Sequence, residues 1–213
     1  MLSTDKKREL IIKLYETGSV SLQRANEPSL QKAPYTINLR LLNSYPLILK
    51  FVAGLFGNEL KSRMFDLIAG PFTDIPLATT ISLEFNWPMI FVREERKGHG
   101  TDKLVEGNFQ PEQGVIVVDD EVEDVADALQ LLGRLEGSGL KIVALFLLLD
   151  RGYGSTETIR KKGYQCEAII TLNDIFIELF QMNKISPEQL KHLTEYLASE
   201  KKEFLLRQRM EES

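Results

Sequence analysis

The chain has 213 residues, 43% of them hydrophobic, enough to bury one full core, and one large α/β domain suits that length better than two small ones. A net charge of −5 gives no support for a nucleic-acid surface, and the single Cys166 excludes an intramolecular disulfide framework and any multi-cysteine metal site. The longest apolar run, Ile142 to Leu149, is too short to span a bilayer, and Met1 to Lys13 lacks the apolar segment of a signal peptide, so a reducing, cytoplasmic setting without membrane attachment is expected.

In chain order, Thr4 is placed to cap a first helix over roughly 5–16, with Leu10, Ile11 and Leu14 as its apolar stripe and Gly18 behind it. Ser19 to Lys32 is polar and carries Pro28, which predicts a loop around a short strand at Val20–Leu22. From Ala33 to Leu42, Tyr35, Ile37, Leu39 and Leu41 alternate with polar residues, the pattern of a strand with one buried face. A helix is predicted from Ser44 to about Phe56, with Pro46 in its first turn. A strand at Met64–Ala69 then leads through the Gly70–Ala78 turn into a helix ending near Glu84, and Pro88–Arg93 is a further strand. Glu94 to Gly107 is charged and holds three glycines, as a mobile arm or hairpin would.

The run Gly114-Val115-Ile116-Val117-Val118 ends in Asp119-Asp120 and is followed by apolar residues at 122, 125, 128, 129 and 132, the helical spacing, so a buried strand runs here into a helix. Lys141–Asp150 is the most apolar strand, as expected for one covered on both faces. A helix near 156–162, a strand at 167–171 and a helix at 172–182 continue the alternation. Ser186-Pro187-Glu188-Gln189 starts a last helix reaching about Arg207. Strands alternating with helices imply a mainly parallel sheet with right-handed crossovers, whose ligands gather at the carboxyl ends of the strands.

Several of these stretches resemble, in the same order, the orotate phosphoribosyltransferases among the type I phosphoribosyltransferases. They are Ala33–Arg40, Gly70–Ala78, Arg93–Thr101 continuing to Gly107, the strand ending in Asp119-Asp120, and Leu149-Asp150-Arg151. The resemblance covers roughly residues 19 to 200. It implies a Rossmann-like α/β fold with a mainly parallel central sheet flanked by helices and a small N-terminal hood. Within a single domain, residues 1–42 would form the first helix and hood, 43–182 the core and 183–213 the C-terminal helix. The implied reaction joins orotate to phosphoribosyl pyrophosphate, giving orotidine 5′-phosphate and pyrophosphate, with Mg2+ bound alongside the phosphoribosyl pyrophosphate. A homodimer is also implied, because the family's catalytic loop serves the neighbouring subunit.

Carried over residue by residue, the resemblance makes Asp119 and Asp120 the pair that handles the ribose hydroxyls. Gly70, Pro71, Phe72 and Thr73 become the pyrophosphate turn, and Arg93, Lys97 and His99 meet the departing pyrophosphate, with His99 able to assist proton transfer. Arg151 would pair with the orotate carboxylate. Read from its position alone, it suits either such a bidentate contact or a structural ion pair with Asp119 or Asp150.

Two departures stand against activity. Glu94 occupies a slot where the family has a lysine or arginine. The family's Thr/Ser- and Gly-rich 5′-phosphate turn here reads Glu123, Asp124, Val125, Ala126 and Asp127. Unit charges about 4 Å apart repel by roughly 4 kcal/mol at a protein surface, so these acids in place of hydroxyls oppose a phosphate. In the first turn of a helix the same acids satisfy the dipole and the free N–H groups internally. Impaired phosphoribosyl transfer is therefore expected, the alternative being a non-catalytic relative that binds or regulates. Acids projecting from one helical turn do not converge, and no dedicated metal site is assigned to them.

Overall fold

The computed structural model of the chain describes residues 3–23, 33–93 and 104–211. Helix α1 (Thr4–Glu16) buries Leu10, Ile11 and Leu14, and its cap is Ser3 rather than Thr4, the Ser3 hydroxyl accepting from the Lys6 N–H. Strands β1 (Val20–Leu22) and β2 (Tyr35–Ile37) pair antiparallel as a separate small sheet. The strand expected over 33–42 is thus shorter. After Asn38, whose N–H donates to the Ser19 carbonyl, residues 39–44 wind into a 3-10 helix that buries Leu39 and Leu42 and leaves Leu41 exposed.

Helix α2 (Pro46–Leu60) leads to β3 (Leu67–Pro71), a 3-10 turn over Phe72–Asp74, α3 (Ile75–Phe85) and β4 (Met89–Val92). The chain returns in β5 (Val105–Glu106), antiparallel to β4, and the arm expected as mobile or a hairpin lies, over residues 94–103, outside the described residues. Then follow β6 (Gly114–Glu121), α4 (Val125–Gly137), β7 (Lys141–Asp150), α5 (Ser155–Lys161), β8 (Cys166–Thr171), α6 (Leu172–Gln181) and α7 (Pro187–Glu211). Glu121 closes the strand, and the helix begins at Val125 rather than at Val122, the first apolar position of its sequence pattern.

The main sheet has the order β5-β4-β3-β6-β7-β8, and every pairing except β4–β5 is parallel. Both of its faces are covered. Ile116, Val118, Phe146 and Leu148 point into one buried cluster, whereas Val115, Val117, Leu145 and Leu147 point into the other, the two-residue period of a central strand. Counted from the first parallel strand, the order is 2-1-3-4-5, so successive connections leave β3 in opposite directions and the chain reverses between β3 and β6. In doubly wound sheets that reversal opens a crevice at the strands' carboxyl ends. Among the described residues no helix is long and apolar enough to cross a membrane.

Candidate active site

The crevice is present where the topology requires it. A cavity of about 400 Å³ lies over the carboxyl ends of β3 and β6, within the size range of small-molecule sites, and its lining includes Arg40, Pro71, Thr73, Arg93, Asp119, Asp120, residues 121–124 and Asp127. Phe72 also lines it and is half exposed. Gly70 has a packing role: a Cβ there would stand 2.8 Å from the Cβ of Ala78, so the missing side chain is what lets β3 end against α3. That close approach sets Asp74, at the start of α3, against the end of β6.

Asp74, Asp119 and Asp120 offer carboxylate oxygens that all lie within 4.8 Å of one another. Asp119 accepts from the Asp120 N–H at 2.9 Å and Asp120 from the Glu121 N–H at 2.7 Å, so each uses one oxygen to fix the strand end. Asp74 is buried, and its Oδ2 has no hydrogen-bond partner. Burial first, and then the Asp120 charge, push the Asp74 carboxyl up to about 8 against the pull of Arg40. Burial and Glu121 raise Asp120 to about 6, and burial with Asp120 and Asp74 holds Asp119 well above the carboxylate range. The group is short of positive charge.

Arg151 projects just past the end of β7, beside β6, where Glu121 is paired in register with Leu149. Its partner is neither Asp119 nor Asp150. Glu121, whose side chain is 5% exposed, takes it in a two-pronged ion pair, with Nε to Oε2 at 2.5 Å and Nη2 to Oε1 at 2.6 Å, and Glu123 adds a looser contact at 3.6 Å. Burial alone would lower the Arg151 pKa, but the Glu121 hydrogen bonds and charge outweigh it and hold the guanidinium more firmly protonated. Asp150 is spent on the turn, accepting from the Gly152 N–H at 2.7 Å. The Tyr35 hydroxyl meets that of Tyr153, and the Arg151 charge is felt at Tyr35, so β2 lies near this guanidinium.

The acidic turn behaves as a cap. Asp124 is the N-cap residue of α4, and its Oδ1 accepts from the Ala126 N–H at 2.6 Å and the Asp127 N–H at 3.4 Å. A carboxylate thus occupies the N-terminal amides at which a ligand phosphate would dock. Glu123 and Asp127 are exposed, and Val125 and Ala128 turn into the core. Arg93 lines the cavity with its guanidinium 2.6 Å from Glu106, while Arg134 donates to the Arg93 carbonyl. Glu94, Lys97 and His99 lie outside the described residues.

The crevice therefore gathers Asp119, Asp120, Pro71, Phe72, Thr73, Arg93, Glu123, Asp124 and Asp127, whereas Val125, Ala126 and Arg151 are not among its lining residues, Arg151 being joined to it through Glu121 and Glu123. Sequence reasoning had not singled out Asp74, Glu121 or Arg40. The available signal for Asp74 was an acid inside a Gly-Pro turn read as anion-binding. For Glu121 it was the strand's two-residue period continued past Asp119.

No family model matches the chain. It is similar to the bifunctional enzyme PyrF/PyrE of Nostoc sp., 33% identical over 187 residues that make up 87% of this chain and 39% of that protein. It is also similar to the orotate phosphoribosyltransferase of Thermococcus kodakarensis, 32% identical over 176 residues, 81% of this chain and 95% of that one. Among solved structures, Leishmania donovani UMP synthase superposes with a TM-score of 0.79 at 28% identity over 91% of this chain and 42% of its own. The orotate phosphoribosyltransferase of Aeropyrum pernix gives 0.69 at 25% identity over 83% and 99%. The chain thus spans about two-fifths of the longer relatives and nearly the whole of the shorter ones.

Proposed function

Because the chain belongs to the orotate phosphoribosyltransferase family, we propose that it keeps that family's fold and crevice while its transfer of phosphoribose to orotate is impaired. One observation carries this reading: the Asp124 carboxylate is seated on the α4 amides that would receive the 5′-phosphate. The Glu121–Arg151 pair supports it, since the guanidinium that would meet an orotate carboxylate already holds one.

In the family's reaction, phosphoribosyl pyrophosphate would lie across Pro71–Thr73 and the Asp119/Asp120 strand end, with Lys97 and His99 on the departing pyrophosphate. Catalysis would rest on positioning and charge stabilisation. The acidic pair fits a hard cation such as Mg2+, whose charge offsets the diphosphate when bound. In this chain, orotate must displace a buried carboxylate from Arg151, and the 5′-phosphate must displace Asp124 and then face Glu123 and Asp127. We further assign it to the cytoplasm, where the buried Cys166 stays reduced, as a homodimer.

The test follows loss of orotate absorbance with Mg2+ and phosphoribosyl pyrophosphate. It compares the natural protein, a variant carrying Thr-Thr-Gly-Gly-Ser at 123–127 with Glu94→Lys, and the same variant with Glu121→Val. Little or no turnover by the natural protein and stepwise gain in the variants is expected. Turnover by the natural protein at the restored variants' rate would overturn the impaired reading. Lack of gain in every variant would favour a non-catalytic binding or regulatory member, the reading that the same two internal carboxylates support.

A further inference from the structure

We propose that Asp74, Asp119 and Asp120 form a protein-built site for one divalent cation of the hard, oxygen-preferring class, completed by Asp74 and filled without phosphoribosyl pyrophosphate. Their donor oxygens lie within 4.8 Å of one another. Oxygens on a common ion stand at most about 4.2 Å apart across Mg2+ and about 5 Å across Ca2+, so only small side-chain adjustment is needed to share one.

Asp74 supplies the independent observation. It is only 6% exposed, and its Oδ2 is buried with no hydrogen-bond partner. An ionised carboxylate is not kept that way without a counter-charge. Arg40 attracts Asp74 and Asp120, but it is one positive charge beside three carboxyl groups. Glu121 is not a fourth ligand, because both of its oxygens are on Arg151.

The topology explains why three acids can converge here when acids on one helical turn do not. Asp119 and Asp120 lie just before Glu121 at the end of β6, while Asp74 comes from the turn between β3 and α3, brought in by the close packing of β3 at Gly70. The acidic pair alone suits a cation carried in by a ligand. The third acid makes a site that needs no ligand to fill it. A cation bound there leaves its remaining coordination positions to water or an anion, a route for anions into the crevice that bypasses the sealed α4 amides.

The experiment titrates Mn2+ into ligand-free protein at about pH 8, reading free Mn2+ by electron paramagnetic resonance and the heat by calorimetry. One equivalent should bind saturably. Asp74→Asn should weaken binding at least about tenfold, equivalent to about 1.4 kcal/mol, and Asp120→Asn should do likewise. Glu112→Gln, exposed ahead of β6 and away from the crevice, should leave it unchanged. Circular dichroism and melting in EDTA verify that each variant is folded. No saturable binding by the natural protein, Asp74→Asn binding as tightly as the natural protein, or an equal loss in Glu112→Gln would each overturn the site. Orotate and phosphoribosyl pyrophosphate are absent throughout, so the result stands whichever way the turnover assay falls.

Discussion

Asp74 is a single carboxylate held out of water next to two others, and its effect on stability has a defined sign. Its folded pKa is raised from 3.8 to about 8, so its favourable contribution is complete below the unfolded value and is lost as pH climbs through the folded one. Asp74→Asn removes that loss. In EDTA, the variant and the natural protein should melt alike near about pH 4, and by about pH 9 the variant should be more stable by roughly 2 kcal/mol or more. Denaturant melts at both pH values measure this, and a gap that shrinks with pH would contradict it. The identity of Asp74 was visible in the sequence, but its situation was not, because that depends on β3 and α3 closing over a glycine. The same holds for Arg151. Its placement beside an acid was foreseeable, but its partner followed from the β6–β7 register, which sets Glu121 level with Leu149.

Helix α4 begins on a side chain, not on a ligand. Asp124→Ala should cost about 1 kcal/mol of stability, the usual value of an N-cap. It should also make the protein responsive to inorganic phosphate or sulfate, with the variant's melting temperature rising with added anion while the natural protein's stays flat. A flat response in both would mean that the α4 amides do not accept anions even when freed. At this scale the sequence was largely readable: the alternation of strands and helices from 46 onward emerged at nearly the expected positions. The failure at 33–42 has a local cause. Alternation at 35, 37, 39 and 41 suggested one long strand, but Leu42 rather than Leu41 is buried, so a three-residue period takes over once the small sheet ends.

At the scale of the whole molecule, the 2-1-3-4-5 order places the crevice between β3 and β6, and the position of that crevice was legible in the strand-Asp-Asp motif of the sequence. Assembly is a matter of exposed surface. Leu47 on α2 and Leu83 on α3 are 84% and 75% exposed and flank in sequence the Lys50–Glu84 ion pair that joins the two helices. Apolar residues set around a polar pair in this way suit a subunit interface. Light scattering should give twice the 24.3 kDa chain mass, and Leu47→Glu with Leu83→Glu should return it to the monomer value. A monomeric natural protein would rule the interface out. The Asp124 cap has a last consequence, for the protein's life in a cell. A protein whose helix amides await a metabolite gains stability as that metabolite accumulates, so its survival against proteolysis tracks supply. This chain closes the helix with its own carboxylate, and its steady-state abundance should stay constant while phosphorylated sugars rise and fall around it.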